Sequence, residues 1–251
     1  MFAAKDIEMF SGKIGIHIHL HNPAHAQRFL SYISKFQYKF DLYITSLSTS
    51  AISEKFRSNA IPAAIMINIQ QVADIGRDVA PWLIDIRKFQ YKYDIFCHVH
   101  DKVSMNVNFS ERWWKYLLDN LIQENAVHDI MSFFEEYDNL GCLFPPIFPE
   151  LREYMNANRI PPMGLAREEE IAGQLLEIMG FDPYIHRHEI FFSPGNMFWY
   201  RPLALQRLID LDVKRENFVS EVLLADAIER LPAIVAQRSG YMAKSYQREK
   251  P

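Results

Sequence analysis

Residues 72–104 read VADIGRDVAPWLIDIRKFQYKYDIFCHVHDKVS, and this stretch decides the fold. It predicts a loop, a helix, a β-strand and a second loop, because APWLIDIRKF carries a proline early in a helical pattern and YDIFCHVH is rich in β-forming residues. Polar side chains crowd both loops. In an open α/β sheet, ligands bind beyond the carboxyl ends of the strands. The stretch therefore predicts a ligand site made by the two loops.

The residues before this stretch alternate between strand and helix patterns. Strands are predicted at 13–21, 41–48 and 63–72, with helices at about 25–36 and 50–59 between them. Such alternation predicts a mainly parallel sheet with right-handed crossovers. In the doubly wound strand order 3-2-1-4, the first and fourth strands are neighbours. We therefore expect the ends of these two strands to meet.

The residues after the stretch continue the mixed pattern. Apolar residues recur at spacings of three and four in 111–122 and 126–137, which predicts two helices. Further strands are expected at 140–148 and 188–202. The proline-rich segment 145–164 is expected to be a long surface excursion.

The domain organisation follows from length and from the lack of a linker. A chain of 251 residues is long enough to bury one large core, and no shift in composition divides it. The sequence predicts one α/β, Rossmann-like domain at 13–241, with about six strands in a mainly parallel central sheet and helices on both faces. Residues 1–12 and 242–251 are predicted to be terminal tails.

Composition limits the possible binding partners and the cellular compartment. The formal net charge is −4 and the pI is about 6.1, which argues against a nucleic-acid binder. Cys97 and Cys142 lie in apolar runs and are expected to be free thiols in a reducing compartment. The sequence predicts neither a secretory signal nor a transmembrane segment. We expect a cytoplasmic protein; peripheral attachment to the inner face of the membrane and the oligomeric state are left open.

Histidines at a spacing of two are the most distinctive polar feature. These pairs are His19 with His21, His98 with His100, and His186 with His188. Spacing two places both imidazoles on one side of a strand, a geometry suited to a metal or a phosphate. His98, His100 and Asp101 are the candidate metal ligands, and His19 and His21 are candidate substrate contacts. The alternative is that these imidazoles only satisfy backbone carbonyls.

Several loop residues are candidates for binding a diphosphate. Gly76, Arg77 and Asp78 follow an apolar strand, where backbone N–H groups and a guanidinium suit an anion. Lys102 and Ser104 follow the fourth strand and carry similar chemistry. The alternative for the first group is a turn with a surface pair, and for Lys102 a solvated loop position.

Later residues supply a candidate base and a candidate sugar platform. Glu221 and Asp226 are predicted as the catalytic carboxylates, on a helix that also carries Glu229, although Asp226 is also spaced for an ion pair with Arg230. The aromatic run that contains Trp199 suits stacking on a sugar or packing in the core. The substrate-binding candidates in this region are Gly195, Asn196 and Trp199.

Five ordered blocks carry a family resemblance. They are GRDVAPWL, YKYDIFCHVHDKVS, WWKYLLDNLI, SPGNMFWYRPLAL and ADAIERL. In this order and spacing they resemble the rhamnan synthesis protein F family, over roughly His17 to Tyr241. That family is associated with building rhamnose-containing surface polysaccharide and O-antigen, and it looks like glycosyltransferases of the GT-A fold.

The resemblance implies a GT-A-like domain at 13–241 and a nucleotide-sugar donor over the first strands. In such enzymes an acidic motif at the end of the fourth strand holds a divalent metal, so His98, His100 and Asp101 take that place here, with Mg²⁺ or Mn²⁺ as the ion. Two positions depart from the family pattern. The usual His-Thr-Lys-Lys-Ser appears as HDKVS at 100–104, and Asp226 stands where the family commonly has histidine.

The sequence therefore predicts a glycosyltransferase. It would transfer a sugar, with rhamnose from dTDP-rhamnose as the first candidate, to a surface-polysaccharide or lipid-linked acceptor, with inversion and a carboxylate base. Two alternatives are left open. One is a metal-dependent hydrolase built on His-x-His strands, which requires an eight-unit barrel, and the other is a non-catalytic sugar-binding scaffold of the same fold.

Overall fold

The computed structural model describes residues 10–101, 107–159, 166–186, 193 and 195–248. The strands are β1 Ile14–Leu20, β2 Phe40–Ser46, β3 Ala64–Gln71, β4 Ile95–His100, β5 Leu140–Phe144, β6 Phe198–Tyr200 and β7 Met242–Ser245. The α-helices are α1 Ala26–Ile33, α2 Ser50–Ser58, α3 Arg87–Gln90, α4 Val107–Leu121, α5 Glu124–Glu136, α6 Pro149–Asn158, α7 Ala166–Ile178, α8 Gln206–Ile209, α9 Arg215–Ser220, α10 Leu224–Glu229 and α11 Leu231–Arg238.

All seven strands join one sheet in the order β3-β2-β1-β4-β6-β5-β7. The first four strands are parallel, β6 runs antiparallel to both of its neighbours, and β7 is parallel to β5. The predicted order 3-2-1-4 and the mainly parallel α/β domain are confirmed. The sheet is open rather than closed into eight units, so the barrel that the hydrolase alternative required is not formed.

Helices cover both faces of the sheet, and strand alternation assigns each side chain to a face. In β1, Ile16 and Ile18 are fully buried in a core that α1, α4 and α5 complete. The opposite face packs Tyr43 and Phe96 against residues from α7, α8, α10 and α11. The histidines of β1 and β4 lie on this second face, because they alternate with the residues of the first core.

The segment predicted as one helix after the first loop is two shorter turns. Pro81–Asp85 forms a π-helical turn, Ile86 leaves the helical conformation, and α3 follows. Buried hydrogen bonds stabilise this break. Gln90 Nε2 donates to the carbonyl of Trp82 at 2.8 Å, and Tyr200 Oη donates to Gln90 Oε1 at 2.6 Å. Tertiary contacts therefore override the helical pattern, as local propensity permits.

Three boundaries from the sequence are corrected. The predicted tail 242–251 begins with β7, which pairs with β5; four residues are too few to give a periodic signal. The proline-rich excursion contains α6, because Pro149 occupies the first turn, where its missing N–H costs nothing. The predicted strand 188–202 is reduced to β6 among the described residues, while 187–192 and 194 lie outside them.

Candidate functional site

The histidines of the two central strands stand side by side. The register of β1 and β4 pairs His17 with His98 and His19 with His100. Both members of each strand point to the same face, so four imidazoles form one group, which we call the histidine cluster. The predicted meeting of the first and fourth strands is confirmed at the level of single residues.

Hydrogen bonds and stacking hold the histidine cluster in place. His17 Nδ1 lies 3.0 Å from His98 Nδ1, and the two rings stack with centroids 4.9 Å apart. Thr45 Oγ1, from β2, lies 2.8 Å from His17 Nε2 and 3.0 Å from His19 Nδ1. Trp82 stacks on the other side of His98. The packing leaves these rings little freedom to turn.

Burial keeps the inner imidazoles neutral. Desolvation, reinforced by the neighbouring His98, holds the pKa of His17 well below its usual value. Desolvation also lowers the pKa of His19 to about 4, although Asp78 opposes the shift. At neutral pH each of these rings therefore carries one proton, and each has one nitrogen that accepts a hydrogen bond.

Two loops approach the cluster through left-handed backbone. Gly76 and Arg77 have φ of 78° and 52°, and Gly195 and Asn196 have φ of 94° and 51°. Left-handed conformations are costly for residues other than glycine and persist when surrounding contacts hold them. Here, Asn196 Nδ2 donates to Asp78 Oδ2 at 2.7 Å, which joins the two loops.

Asp78 is the charged centre of this region. Burial alone would raise the pKa of this carboxyl, but the charge of His100, together with His98 and Asn196, holds it well below its usual value. His98 Nε2 and His100 Nε2 lie 3.6 and 3.5 Å from Asp78 Oδ2. Asp78 is therefore ionised and faces the histidine cluster from the loop.

His100 has an acceptor at each ring nitrogen. Its Nδ1 lies 2.7 Å from the carbonyl oxygen of Asp101, and its Nε2 lies 2.7 Å from that of Gly195. Carbonyl oxygens only accept, so a ring nitrogen of His100 bonds to its carbonyl when that nitrogen carries the proton. His100 Nε2 also lies 3.5 Å from Asp78 Oδ2.

A cavity of about 370 Å³ lies where these groups meet, beyond the carboxyl ends of β1, β3 and β4. This volume is in the range of small-ligand sites. Its lining residues are His19, His21, Asp74, Arg77, Asp78, His100, Asp101, Gly195 and Glu229. Five of the ten predicted substrate contacts, His19, His21, Arg77, Asp78 and Gly195, thus line one cavity, at the edge of the sheet that the sequence indicated.

The carboxylates of α10 meet the first loop. Arg77 Nη2 lies 2.9 Å from Asp226 Oδ1 and 3.8 Å from Glu229 Oε2. Glu229 Oε1 also accepts the backbone N–H of Gly195 at 2.6 Å. Glu229 therefore connects both loops and lines the cavity, a position that sequence spacing did not single out from its neighbours on α10.

Asp101 has a structural role in this arrangement. Its carboxylate accepts the backbone N–H groups of His21 and Asn22 at 2.9 and 2.7 Å and contacts His25 Nδ1 at 2.9 Å. These hydrogen bonds lower its pKa although burial opposes the shift. The carboxylate joins the end of β4 to the turn that follows β1.

The three predicted metal ligands do not fit a single ion. Both nitrogens of His100 face carbonyl oxygens, the Asp101 carboxylate is occupied by three donors, and His98 is buried beneath Trp82. Among the described residues, no group of three His, Cys, Asp or Glu side chains is arranged to hold a metal. We therefore assign no chemical step to a metal, and metal dependence stays a prediction.

Other candidates lie away from the cavity or outside the described residues. Glu221 is paired with Arg167 at 2.6 Å, so its predicted catalytic role is not supported. Trp199 is fully buried and donates from Nε1 to the carbonyl of Leu121, so it belongs to the core rather than to a sugar platform. The remaining candidates Lys102, Ser104 and His188 lie outside the described part of the chain, and His186 is in an exposed segment.

The structure also brings in residues that the sequence did not mark. Thr45 joins the histidine cluster because the register of β2 with β1 pairs it with His19. His17 was not among the candidate site residues, yet it is fully buried beside His98. A strand register, rather than a motif, was the signal that could have identified both.

A larger groove lies elsewhere on the molecule. It measures about 1090 Å³ and is lined by α5, the segment before β2 and the last described residues of the chain. Its polar groups already pair with one another, as in Tyr38 with His128 and Tyr246 with Asp129. The smaller cavity carries the convergent polar groups that are typical of ligand sites.

The sheet order and the position of the cavity together define a class of protein. A single α/β domain with a mostly parallel seven-stranded sheet and one reversed strand is consistent with the GT-A-like Rossmann fold. Residues 3–241 match the profile of the family described as rhamnan synthesis protein F, and the chain belongs to this family. No curated protein matches the chain. No helix in the described residues is long and apolar enough to cross a bilayer.

Proposed function

We propose that this protein is a glycosyltransferase of surface-polysaccharide synthesis that uses the cavity beyond β1, β3 and β4. Membership of the rhamnan synthesis protein F family implies a role in rhamnan synthesis. The observation that carries the proposal is the convergence of Arg77, Glu229 and two members of the histidine cluster, His19 and His100, on one cavity. Ligands of open α/β sheets bind at this position.

In the proposed reaction, an acceptor hydroxyl attacks the anomeric carbon of a nucleotide-diphosphate sugar. The new bond joins the acceptor oxygen to that carbon, the bond to the diphosphate oxygen breaks, and the hydroxyl proton passes to a carboxylate. Glu229 is the best-placed base, because it lines the cavity and is held by the N–H of Gly195. Arg77 supplies positive charge toward the departing diphosphate.

The ion pairs of Arg77 set a condition on diphosphate binding. Arg77 already contacts Asp226 and Glu229, so a diphosphate must compete with these carboxylates for the guanidinium. Lys102 and Ser104 follow β4 in sequence and remain predicted contacts. Mg²⁺ or Mn²⁺ remains a predicted cofactor.

The substrates belong to the same proposal. Rhamnose is the first sugar to test as the donor group, and a growing surface glycan, O-antigen or lipid-linked acceptor is the proposed partner. Such an acceptor would place the reaction in the cytoplasm, at the inner face of the membrane.

A thermal-shift panel of nucleotide-sugars, each with and without Mg²⁺ or Mn²⁺, tests the binding step. A ligand at 100 times its dissociation constant stabilises the native state by about 2.7 kcal/mol. For a domain of this size that is a rise in Tm of about 5 to 11 °C. If no nucleotide-sugar raises Tm under any condition, the transferase proposal fails.

Transfer assays with the donor that binds then test the base. Replacing a general base typically lowers turnover by about 10² to 10⁴ fold, so we expect that loss for Glu229→Gln. Glu221→Gln is the matched control on the neighbouring segment, and its turnover should be unchanged. Equal turnover in the two variants would remove Glu229 from the mechanism. Binding without transfer to any acceptor would instead favour the non-catalytic scaffold.

A further inference from the structure

The histidine cluster connects two groups that line the cavity. His19 contacts Thr45, Thr45 contacts His17, His17 contacts His98, and His98 faces Asp78. Heavy-atom separations along this hydrogen-bond chain are 3.0, 2.8 and 3.0 Å, and the last step to Asp78 is 3.6 Å. The inner members of the chain are buried away from solvent. The position of the proton on each group therefore depends on the hydrogen bond made by its neighbour in the chain.

The carboxylate sets the direction of the chain. An ionised Asp78 only accepts, so the N–H of His98 points from Nε2 toward it, and Nδ1 of His98 is left as an acceptor. The 3.6 Å contact is longer than a hydrogen bond, and His98 Nε2 has no hydrogen-bond partner among the described residues. The nearby negative charge of Asp78 nevertheless favours an N–H over a lone pair facing it. His17 then donates from Nδ1, and its Nε2 accepts a hydrogen bond.

The same assignment of donors and acceptors extends to Thr45 and His19. Thr45 donates its hydroxyl proton to His17 Nε2, so its oxygen accepts from the Nδ1–H of His19. A neutral imidazole with a proton on Nδ1 has a bare Nε2. His19 lines the cavity, and among the described residues its Nε2 has no competing protein donor.

We propose that Thr45, His17 and His98 are positioning residues that fix His19 as the Nδ1–H tautomer, so that this wall of the cavity recognises a hydrogen-bond donor of the ligand. An O–H or N–H of the nucleotide-sugar fits this wall. The oxygens of its ionised diphosphate diester, which offer only lone pairs at neutral pH, do not. The ligand part of this inference rests on the proposed function. The diphosphate of the ligand is then expected on the Arg77 side of the cavity.

The tautomer itself is measured without any ligand. Histidine ¹⁵N shifts of the full chain at neutral pH should show His19 protonated at Nδ1 and bare at Nε2. Thr45→Val removes the hydroxyl at nearly constant volume, and we expect His19 to lose this single tautomer. Thr45→Ser keeps a hydroxyl, so this variant should retain the single His19 tautomer. A wild-type spectrum with the proton on Nε2 overturns the proposal, and it does so even if Thr45→Val fails to fold.

Ligand titrations followed through the same signals test the recognition step. A nucleotide-sugar that raises Tm should shift His19 Nε2, whereas inorganic pyrophosphate should shift the Arg77 side-chain signals and leave His19 unchanged. A larger shift of His19 with pyrophosphate would overturn the assignment. If no nucleotide-sugar binds, the proposed function fails, while the tautomer measurement still supports or overturns the hydrogen-bond chain.

Discussion

Replacing Asp101 tests whether the end of β4 is held by a structural carboxylate. Its side chain is fully buried and accepts two backbone N–H groups while contacting His25, all within 2.9 Å. Hydrogen bonds to a charged group contribute about 1.5 to 3 kcal/mol each, but they are not additive. Removing one partner of a buried charged network costs about 3 to 5 kcal/mol. We expect Asp101→Ala to lose this amount, or about 6 to 20 °C in Tm.

The assay compares the free energy of unfolding and the Tm of Asp101→Ala with those of Asp74→Ala, by chemical and thermal unfolding. Asp74 lines the same cavity, but its side chain is 68% exposed and lies 3.7 Å from His21. Its removal should change stability by less than about 0.5 kcal/mol. Equal losses in the two variants would refute the structural role of Asp101.

The pH dependence of the stability of the wild type and of Asp101→Ala gives an independent check. The folded-state pKa of Asp101 is lowered by its hydrogen bonds, so its stabilisation is complete above the unfolded value of about 3.9. This contribution is lost as the pH falls through the lower folded value. The stability gap between wild type and Asp101→Ala should therefore be full at pH 7 and narrow below about pH 3.9. A gap that stays constant into strong acid would contradict the reasoning.

Two further predictions concern the framework. Gly76→Ala should destabilise by about 2 to 4 kcal/mol, since φ is 78° and the new Cβ would lie 2.5 Å from Ala80 Cβ. Gly240 shares the positive φ, but a new Cβ there meets open space. Gly240→Ala should therefore lower the free energy of unfolding by only about 1 to 2 kcal/mol. Equal losses in the two variants would mean that crowding at Gly76 is unimportant. Cys97 and Cys142 are free and buried, and burial raises the pKa of both thiols. Thiol reagents should label them only on unfolding, and fast labelling of the native protein would be inconsistent with this packing.

The sequence predicted what strand periodicity and parallel topology control. The spacing of two predicted that paired histidines share one side of a strand, and the order 3-2-1-4 predicted that β1 lies beside β4. The position of the cavity follows, because loops after neighbouring parallel strands share one edge of the sheet. These steps need only hydrophobic pattern and chain direction, which are local properties of the sequence.

The roles of individual side chains could not be predicted in the same way. Glu221 and Glu229 were predicted on one helix, but Glu221 pairs with Arg167 while Glu229 accepts the N–H of Gly195. Trp199 lies in an aromatic run beside the loop at Gly195, yet strand pairing turns it into the core. Each outcome depends on contacts between residues that are distant in sequence.

The contrast between Asp78 and Asp101 shows why position after a strand does not by itself identify a metal ligand. Asp101 directly follows β4 and Asp78 lies in the loop after β3, and both line the cavity. Asp101 is occupied by backbone donors from the turn after β1, whereas Asp78 is shared by Asn196 and the histidine cluster. A buried carboxylate that already has its donors gains little from a cation, because binding the ion would leave those donors unsatisfied.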